Sequence, residues 1–532
     1  MNRFAKINRA LSVMLISGSV FLVGCAGMGP NGEKQAMVAG RPGVSGGCVA
    51  PNPAVASYFE LIDTAPPELL ELMTLFPKGG DIHNHLSGTI MPEDYISLGA
   101  KDGDCYDPTS YKITSPPCTS STPALAQAGP ADIQKLMASL SMYQFDYLDI
   151  QAGHDHFFAT FGKFGTVSGA NQGIMLAKLL QQAEADGVDY VETMMSFQSR
   201  AVSALAAKLQ QKYPPTGPYY TDSRYFPEMY EFLMSAGLDH AVPTARMDIF
   251  GYQNIMNKTL GCGASEPDPA CGVFYRFLAA ANRNAALPKL YTQAALSFLL
   301  ASVDDRVAGV NLVSGEDAST SMQDFAAQME IFGFFHNKFP SVNIALHAGE
   351  ITPCFVGQGN PALKDHITGS INAGAKRIGH GISFAYLDDK AKAEVVALMK
   401  NRDALVEILF ASNAQILGVT GDEHPFTQYF REHGLPTAFS TDDEGVSYSN
   451  YTAEWLYAVL QYNLTYDELV ELARFSLQYS FLPGDPLWVD VPAAKAVEQC
   501  NDILPGGVEL TPLCRAFLQN SEKASMQWWY EA

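Results

Sequence analysis

The sequence predicts a (β/α)8 barrel, because eight apolar runs of strand length alternate with longer stretches whose apolar residues recur at helical spacing. The runs are apolar almost continuously rather than at every second position, which is typical of parallel strands buried on both faces. They lie near residues 80, 190, 245, 310, 346, 380, 408 and 439. A doubly wound α/β sheet would produce a similar alternation and is the alternative architecture.

In chain order, the runs predicted as strands are GGDIHNHL, VDYVETMM, AVPTARMDIF, VAGVNLV, NIALHAGE, RIGHGI, ALVEILFASN and PTAFSTDD. Between them, segments such as SMQDFAAQMEIFGFFHNKF and KAKAEVVALMKNRD carry apolar residues at helical spacing and predict helices. Eight such units favour the barrel, in which a functional site would lie at the carboxyl ends of the strands.

Two longer segments interrupt this alternation. Residues 87 to about 185, after the first strand, form a predicted insertion that holds the loop CYDPTSYKITSPPC and helical sequence. Residues from about 445 to 532 predict a helical C-terminal cap, of which YTAEWLYAVLQYNLTYDELVELARFSLQYSF is the clearest part. Barrel, insertion and cap together make up residues 48–532.

The first residues have the features of an export signal. Residues 1–24 place three basic residues before the apolar run LSVMLISGSVFLV, which is too short for a comfortable membrane span. The run ends in LVGC, which resembles the lipobox of bacterial lipoproteins and implies lipidation of Cys25; Ala26 after it favours the outer membrane. Residues 25–47 then predict a flexible tether. An ordinary secretory signal is the alternative.

Charge and cysteine content limit the partners and the compartment. The formal net charge of -22 disfavours nucleic acid polymers and acidic membrane surfaces as partners, but not a small uncharged substrate. Export makes disulfides plausible, and an even number of cysteines follows Cys25. Nearest-neighbour pairing is the preference, Cys105 with Cys118, Cys262 with Cys271 and Cys500 with Cys514, which leaves Cys48 and Cys354. A zinc knuckle is the alternative, without CxxC spacing to support it.

Polar residues capable of metal binding or proton transfer occur at the predicted strand ends. They are His83 and His85 on strand one, His347 on strand five, His380 on strand six, and Asp442 and Asp443 after strand eight. The first two alternate and so share a face of their strand. All would converge on one mouth of the barrel, where three imidazoles and a carboxylate can bind Zn²⁺ and leave a position open. Any one of them alone would more often be a hydrogen-bonded core residue.

The motifs HNHLSG, HAGE, RIGHG and STDD, in this order on strands one, five, six and eight, resemble the signature of the adenosine deaminase family of metal-dependent amidohydrolases. The resemblance spans roughly residues 70–485 by motif order, and the insertion, export signal and cysteine-bearing loops are most similar to the secreted, growth-factor-like branch. It implies hydrolytic removal of the 6-amino group of a purine nucleoside. It also implies one Zn²⁺ per chain, held by His83, His85, His347 and Asp442.

The same resemblance implies catalytic roles. Attack of water at C6 of the purine breaks its aromaticity, and protonation of ring N1, assigned to Glu350, would offset that cost. His380 would orient the attacking water and help to take its proton, and Asp443 would hydrogen-bond ring N7. As alternatives, Glu350 could favour a helix N-terminus by its charge and Asp443 could cap a helix.

Substrate contacts depart from the family pattern. Ser87 stands where many members carry an acid that touches the ribose 5′-hydroxyl, and Ser314, followed by Gly315, stands where a glycine backbone approaches purine N3. Asn311 replaces an aspartate on strand four, and the motif of strand seven is altered and ends in Asn413. The sugar preference is therefore not predicted.

Two further histidine motifs receive structural interpretations. His154 and His156 form a second HxH, but the phenylalanines that follow recur at helical spacing, which predicts a helix whose aromatics pack in the core or cover the pocket. His424, in EHPF, matches the family and is assigned a packing role before strand eight.

Three functions stay open. The first is a lipid-anchored, zinc-dependent deaminase of adenosine or 2′-deoxyadenosine. The second is deamination of another aminopurine or nucleoside derivative, and the third is a nucleoside-binding lipoprotein without turnover. The joint presence of Glu350 and His380 favours an enzyme, and a phosphotriesterase-like hydrolase would want a lysine that VAGVNLV lacks. Oligomeric state is not predicted.

Overall fold

The computed structural model describes Cys48, residues 53–146 and residues 149–532. The predicted signal peptide, the lipidation site Cys25 and the tether lie outside the described residues. Among the helices of the described part, none is both long enough and apolar enough to cross a membrane.

Eight parallel strands form one sheet in which each strand pairs with the next along the chain. They are β1 (Gly79–His85), β2 (Val188–Met195), β3 (Phe274–Asn282), β4 (Val307–Val313), β5 (Asn343–Ala348), β6 (Arg377–His380), β7 (Leu405–Ile408) and β8 (Thr437–Phe439).

The sheet closes on itself at the end of β1. His85 N donates to Asp442 O at 3.1 Å, and Asp442 N donates to His83 O at 3.0 Å, so the last strand continues into a parallel bridge with the first. A closed ring of consecutive parallel strands is a (β/α)8 barrel, which confirms the predicted fold class.

The helices surround this ring and form the insertion. In chain order they are α1 (Pro53–Asp63), α2 (Pro67–Leu75), α3 (Pro92–Asp102), α4 (Pro130–Leu140), α5 (Ile150–Ala170), α6 (Gln172–Ala185), α7 (Ser199–Lys212), α8 (Phe226–Ala236), α9 (Leu238–Leu260), α10 (Leu287–Ala301), α11 (Ser319–Lys338), α12 (Pro353–Val356), α13 (Ala362–Asn372), α14 (Asp389–Arg402), α15 (Phe410–Leu417), α16 (Glu444–Ser447), α17 (Tyr451–Tyr462), α18 (Tyr466–Gln478), α19 (Pro512–Asn520) and α20 (Glu522–Tyr530). The two segments singled out as helical between strands correspond to α11 and α14.

The position predicted for the third strand was wrong. The run AVPTARMDIF lies inside α9, and the third strand is β3, with the sequence FYRFLAAAN. The buried residues of α9 include Leu238, Ala241, Ala245 and Ile249, which recur at the spacing of one helix face. β3 has three consecutive alanines, which are depleted in strands, so its sequence gives a weak strand signal.

The C-terminal part contains the helices α17 to α20, and the first two pack directly on the barrel. In α18, Ser476 Oγ accepts the N–H of Gly80 at 2.8 Å. Tyr451, at the start of α17, donates its hydroxyl to the carbonyls of Gly80 and Phe439 at 3.1 and 2.7 Å. These helices therefore complete the wall of the barrel beside β1 and β8, and a short antiparallel ladder follows them.

The predicted disulfide pairing is confirmed. The Cα atoms of the four pairs lie 4.8 to 5.7 Å apart, in Cys48–Cys354, Cys105–Cys118, Cys262–Cys271 and Cys500–Cys514. The first pair joins residues that are 306 positions apart and attaches the start of the described fold to α12. Gln151 of the insertion also binds Cys48, since its backbone N–H donates to Cys48 O at 2.9 Å.

Candidate active site

The four residues predicted to bind metal meet at the carboxyl ends of β1, β5 and β8. His347 Nε2 lies 3.1 Å from His83 Nε2 and 3.2 Å from His85 Nε2. Asp442 Oδ1 lies 3.1 Å from His85 Nε2 and 3.6 Å from His83 Nε2. Two sets of donor atoms lie within 4.8 Å of one another, those of His83, His347, His380 and Asp442 and those of His85, Asp442 and Asp443.

Two imidazole rings each form a hydrogen bond on the side away from the cluster, and this bond determines which ring nitrogen directs a lone pair into the cluster. His83 Nδ1 is 2.6 Å from Glu407 Oε2, and His347 Nδ1 is 2.9 Å from Asn311 Oδ1. Both oxygens accept, so each neutral ring carries its proton on Nδ1 and turns the lone pair of Nε2 toward the other ring. This is the arrangement of metal-ligating histidines, in which the outer N–H orients the ligand nitrogen.

Two facing lone pairs repel unless a positive charge lies between them. One proton could bridge only one of the two contacts of His347 Nε2, whereas a cation can accept several ligands at once. Burial opposes a charge on His83, yet the carboxylates of Glu407 and Asp442 raise its pKa to about 10, so the cluster favours a positive charge. The buried histidine and aspartate cluster therefore fits a metal site.

A buried ion-pair network that no sequence motif indicates holds Glu407 in place. Arg377 Nε lies 2.7 Å from Glu407 Oε1, and its Nη2 lies 2.7 Å from Glu192 Oε2. The Arg377 guanidinium also stacks 3.8 Å from the centre of the Phe481 ring. The available signal was the presence of the charged residues Glu192, Arg377 and Glu407 in three buried strands, which tolerate a charge only when it is paired.

Glu316, which follows β4, fixes the backbone that carries Glu350. Its carboxylate accepts the N–H groups of Gly349 and Glu350 at 3.0 and 2.6 Å, and it lies 2.6 Å from His366 Nδ1. Arg283 Nη1 lies 3.5 Å away. Burial opposes ionisation, but Arg283 and His366 lower the pKa of Glu316 to about 2, so it is a carboxylate at neutral pH. Glu316, Arg283 and His366 were not identified from the sequence.

The surroundings of Glu350 favour its neutral form. Burial raises the pKa of its carboxyl well above the usual value, and repulsion from Asp442 adds to the effect. Its Oε1 lies 3.6 Å from His380 Nε2, which is also 4.0 Å from Asp442 Oδ2. A protonated carboxyl beside a histidine suits proton donation. The backbone φ angles of His380 (69°) and Asp442 (58°) are positive, a strained conformation that is common at functional sites.

Asp443 points into the same space. Burial raises the pKa of its carboxyl to about 8, against the effect of the neighbouring His85. Its Oδ1 has no hydrogen-bond partner among the described residues, and the side chain does not cap the helix that follows. A Cβ at Gly88 would lie 1.5 Å from Oδ1, so only glycine fits there.

The residues predicted to bind substrate lie at the ends of β1 and β4. Tyr95 donates its hydroxyl to Ser87 O at 2.6 Å. Ser314 adopts φ = 91°, a conformation that favours glycine, which agrees with its place in the family pattern. Asn284, which the sequence analysis did not identify, donates to Ser314 Oγ and to Gly315 O, both at 3.0 Å. The serine side chain is thus held against the loop that follows β3.

The second HxH motif lies in a helix, as predicted. His154 Nε2 is 3.1 Å from Asp317 Oδ1, and its ring lies 5.0 Å from that of Phe355. His156 Nε2 donates to backbone carbonyls of the insertion. Neither histidine belongs to a group of potential metal ligands in the described part of the chain. His154 therefore links α5 to the loops after β4 and β5, beside the mouth.

Comparison with known families agrees with this geometry. Residues 244–486 match the family model described as Adenosine deaminase. This range runs from α9 to beyond α18 and contains His347, Glu350, His380, Asp442 and Asp443. The resemblance to the adenosine deaminase family is therefore confirmed over this range, whereas membership of the secreted, growth-factor-like branch stays a prediction.

Individual proteins are similar over shorter stretches. The adenosine deaminase of Enterococcus faecalis is 35% identical over 146 residues, which are 27% of this chain and 39% of that protein. The N6-methyl-AMP deaminase of Danio rerio is 28% identical over 212 residues, 39% of this chain and 56% of that protein. The chain thus spans about half or less of the length of these relatives. The adenine deaminase structure from Arthrobacter aurescens has a TM-score of 0.47 at 20% identity, covering 77% of this chain and 95% of that one.

Proposed function

We propose that this protein is a zinc-dependent hydrolase that converts adenosine or 2′-deoxyadenosine to the inosine product and ammonia. The observation that carries the proposal is the close approach of His83 Nε2 and His347 Nε2, 3.1 Å apart, next to a buried Glu350 whose pKa is raised by its surroundings. A cation site and a proton donor within one buried cluster are the two groups that hydrolysis of an aminopurine requires.

His83, His85, His347 and Asp442 would hold the ion, one per chain. Three nitrogens and one oxygen suit Zn²⁺ and leave a position for water. When bound, Zn²⁺ lowers the pKa of water to about 7, which makes a nucleophile available at neutral pH.

The side chains around this position account for the rest of the chemistry. Water would add at C6 as Glu350 gives its proton to ring N1, and the resulting carboxylate would recover a proton released by the water. The proton of the added hydroxyl would pass to the amino group, which leaves as ammonia as the C6 carbonyl forms. Asp443, whose buried carboxyl retains a proton near neutral pH, would donate to ring N7. His380 would orient the attacking water from beside Glu350, 3.6 Å away.

An uncharged substrate fits the charge distribution. The chain carries a formal net charge of -22, which repels phosphorylated ligands over distance. Arg283, a buried cation beside the site, is already paired with Glu316 and donates to His347 O at 2.5 Å. Phosphate groups would therefore lack a free guanidinium there, and nucleotides should be poor substrates.

A second candidate within the same chemistry is a nucleoside derivative with an altered 5′ group. Ser87 stands in place of the acid that would grip a free 5′-hydroxyl, and Ser314 adds a side chain where a glycine is usual. By the family pattern Ser87 would face the ribose and Ser314 would face purine N3, and neither position contributes to the chemistry at C6. Both candidates therefore share the same cluster.

We also propose that the protein is anchored at the bacterial cell envelope through lipid on Cys25 and is delivered to the outer membrane. The motif LVGC followed by Ala26 supports the anchor, and four cysteine pairs at bonding distance are typical of an oxidising compartment. Mass spectrometry of the native N-terminus tests the lipid, and Cys25→Ser should release an active, soluble protein.

The purified full chain should be incubated with adenosine, 2′-deoxyadenosine, free adenine, N6-methyl-AMP and AMP, while ultraviolet absorbance and ammonia are followed. Metal content is measured on the same sample. We expect turnover of the nucleosides and about one zinc per chain. Failure to deaminate any aminopurine in a sample that contains the metal would overturn the proposal and favour a nucleoside-binding role.

A further inference from the structure

Behind His380, two buried side chains extend a hydrogen-bond chain away from the cluster. Asn413 Nδ2 lies 2.9 Å from His380 Nδ1, and Asn413 Oδ1 lies 3.2 Å from His424 Nε2. His424 Nδ1 accepts the backbone N–H of Phe426 at 3.2 Å. His380, Asn413 and His424 are each at most 1% exposed, so bulk water does not reach these side chains.

The donors and acceptors in this series of hydrogen bonds have a fixed order, because its last member, the backbone N–H of Phe426, can act only as a donor. The N–H of Phe426 can only donate, so His424 Nδ1 must accept and the proton of the neutral ring lies on Nε2. That N–H needs an acceptor, which is the carbonyl oxygen of the Asn413 side chain. The amide NH2 of Asn413 then faces His380 and donates to Nδ1, so the proton of neutral His380 lies on Nε2.

Nε2 of His380 is the atom that faces the reacting centre. It lies 3.6 Å from Glu350 Oε1 and 4.0 Å from Asp442 Oδ2, and it has no hydrogen-bond partner among the described residues. We propose that Asn413 and His424 are positioning residues that hold His380 in its Nε2–H tautomer, so that His380 donates a hydrogen bond to the attacking water instead of taking its proton.

The choice is between two neutral tautomers and involves no change of charge. If the whole series were reversed, His424 would carry its proton on Nδ1, facing the N–H of Phe426. These two N–H groups would then both be buried without an acceptor. The catalytic meaning of the inference rests on the proposed function, but the tautomer itself does not. His424 would then have a role beyond packing against its neighbour Phe410, whose ring centre is 4.7 Å away.

The tautomer can be observed directly in the unmodified full chain. With ¹⁵N-labelled histidine, the two ring nitrogens of each residue are distinguished by their chemical shifts, and His380→Gln identifies the signals of His380. We expect the proton on Nε2. A wild-type spectrum with the proton on Nδ1 of His380 would overturn the inference, and this measurement is valid even if no aminopurine is turned over.

Two substitutions of one residue separate positioning from packing. His424→Gln keeps a donor toward Asn413 and an acceptor for Phe426 N–H, whereas His424→Leu keeps apolar contact with Phe410 and removes both hydrogen bonds. For adenosine, we expect kcat of His424→Leu to fall about 10- to 100-fold, with zinc content and KM little changed, and kcat of His424→Gln to stay near wild type.

The two variants should show the opposite order of activity if His424 acts only by packing against Phe410. His424→Leu would then be at least as active as His424→Gln, which would contradict the positioning role. Melting temperatures of both variants reveal any loss of folding, and the histidine spectrum of His424→Leu should show a mixture of tautomers at His380. A single, unchanged Nε2–H signal in that variant would also overturn the inference.

Discussion

The Nε2 atoms of His83 and His347 lie 3.1 Å apart, although each ring already uses its other nitrogen to donate to Glu407 or Asn311. While both rings are neutral, neither can supply a proton to the contact without giving up a buried hydrogen bond. The cluster therefore favours a positive charge, and a bound cation would satisfy both contacts of His347 Nε2 at once. The expected effects of substitutions depend on whether a residue binds that cation, orients a ligand or lies elsewhere.

Removal of a ligand should empty the site. His347→Ala removes the nitrogen that lies against both other imidazoles, so we expect the zinc content to fall from about one per chain to a tenth or less. The matched control is His156→Ala, which removes a histidine of the second HxH motif and should retain zinc. Metal analysis of both purified variants decides the matter, and equal occupancy would contradict the ligand assignment.

Glu350→Gln should separate metal binding from turnover. The amide keeps the size of the carboxyl but has no proton to give, so kcat for adenosine should fall by a factor on the order of 10² or more while zinc is retained. Glu394→Gln, which alters an exposed residue on α14 paired with Lys364, is the control and should be indistinguishable from wild type. An active Glu350→Gln protein would show that another group protonates the substrate.

Glu316→Gln should lower stability in a pH-dependent way. The pKa of Glu316 is about 2 in the fold against an ordinary 4.5, so the unfolded chain binds more protons between these values. The stabilisation is therefore complete above pH 4.5 and is lost as pH falls toward 2, and it amounts to about 3 kcal/mol at most. Denaturant unfolding of wild type and variant at pH 7 and pH 4 should show a smaller difference at the lower pH. A difference that is constant with pH would show that the ion pairs with Arg283 and His366 do not stabilise the fold.

The two kinds of disulfide should differ in their contribution to stability. Cys48–Cys354 joins residues 306 positions apart, whereas Cys262–Cys271 joins residues nine positions apart. In the chain-entropy description the longer loop contributes about 3 kcal/mol more. Paired serine substitutions at each bridge, compared by unfolding, should therefore lower stability more for the first pair. An equal or reversed order would show that folded-state contacts outweigh loop closure here.

Ser87→Asp should sharpen the preference for a free 5′-hydroxyl. A hydrogen bond to a carboxylate is roughly twice as strong as one to a neutral acceptor, so the added charge should favour adenosine over 5′-deoxyadenosine. The measurement is the ratio of kcat/KM for these two substrates in wild type and variant. No change in the ratio would place Ser87 away from the sugar, and a preference of the wild type for AMP would contradict the proposed uncharged substrate.

The motifs at the strand ends and the barrel itself could be predicted from the sequence, since both depend on local patterns. Strand and helix periods repeat along the chain, and residues that follow a strand share the same end of the barrel. His83, His347, His380 and Asp442 were identified in this way before any contact was known, and the structure brings them together. Cysteine spacing likewise indicated three short loops, which the structure confirms.

Only the tertiary structure determined the position of the third strand and the residues that form hydrogen bonds to the histidine cluster. A short apolar run has the same composition in a buried helix as in a buried strand, so α9 and β3 could not be told apart by composition. Glu407 lies 324 positions from His83, and no local pattern links a ring nitrogen to a carboxylate so distant in sequence. The sequence by itself determined which groups can bind and transfer protons. The closed barrel decided how those groups are oriented, because hydrogen-bond direction depends on which atoms folding brings within about 3 Å of one another.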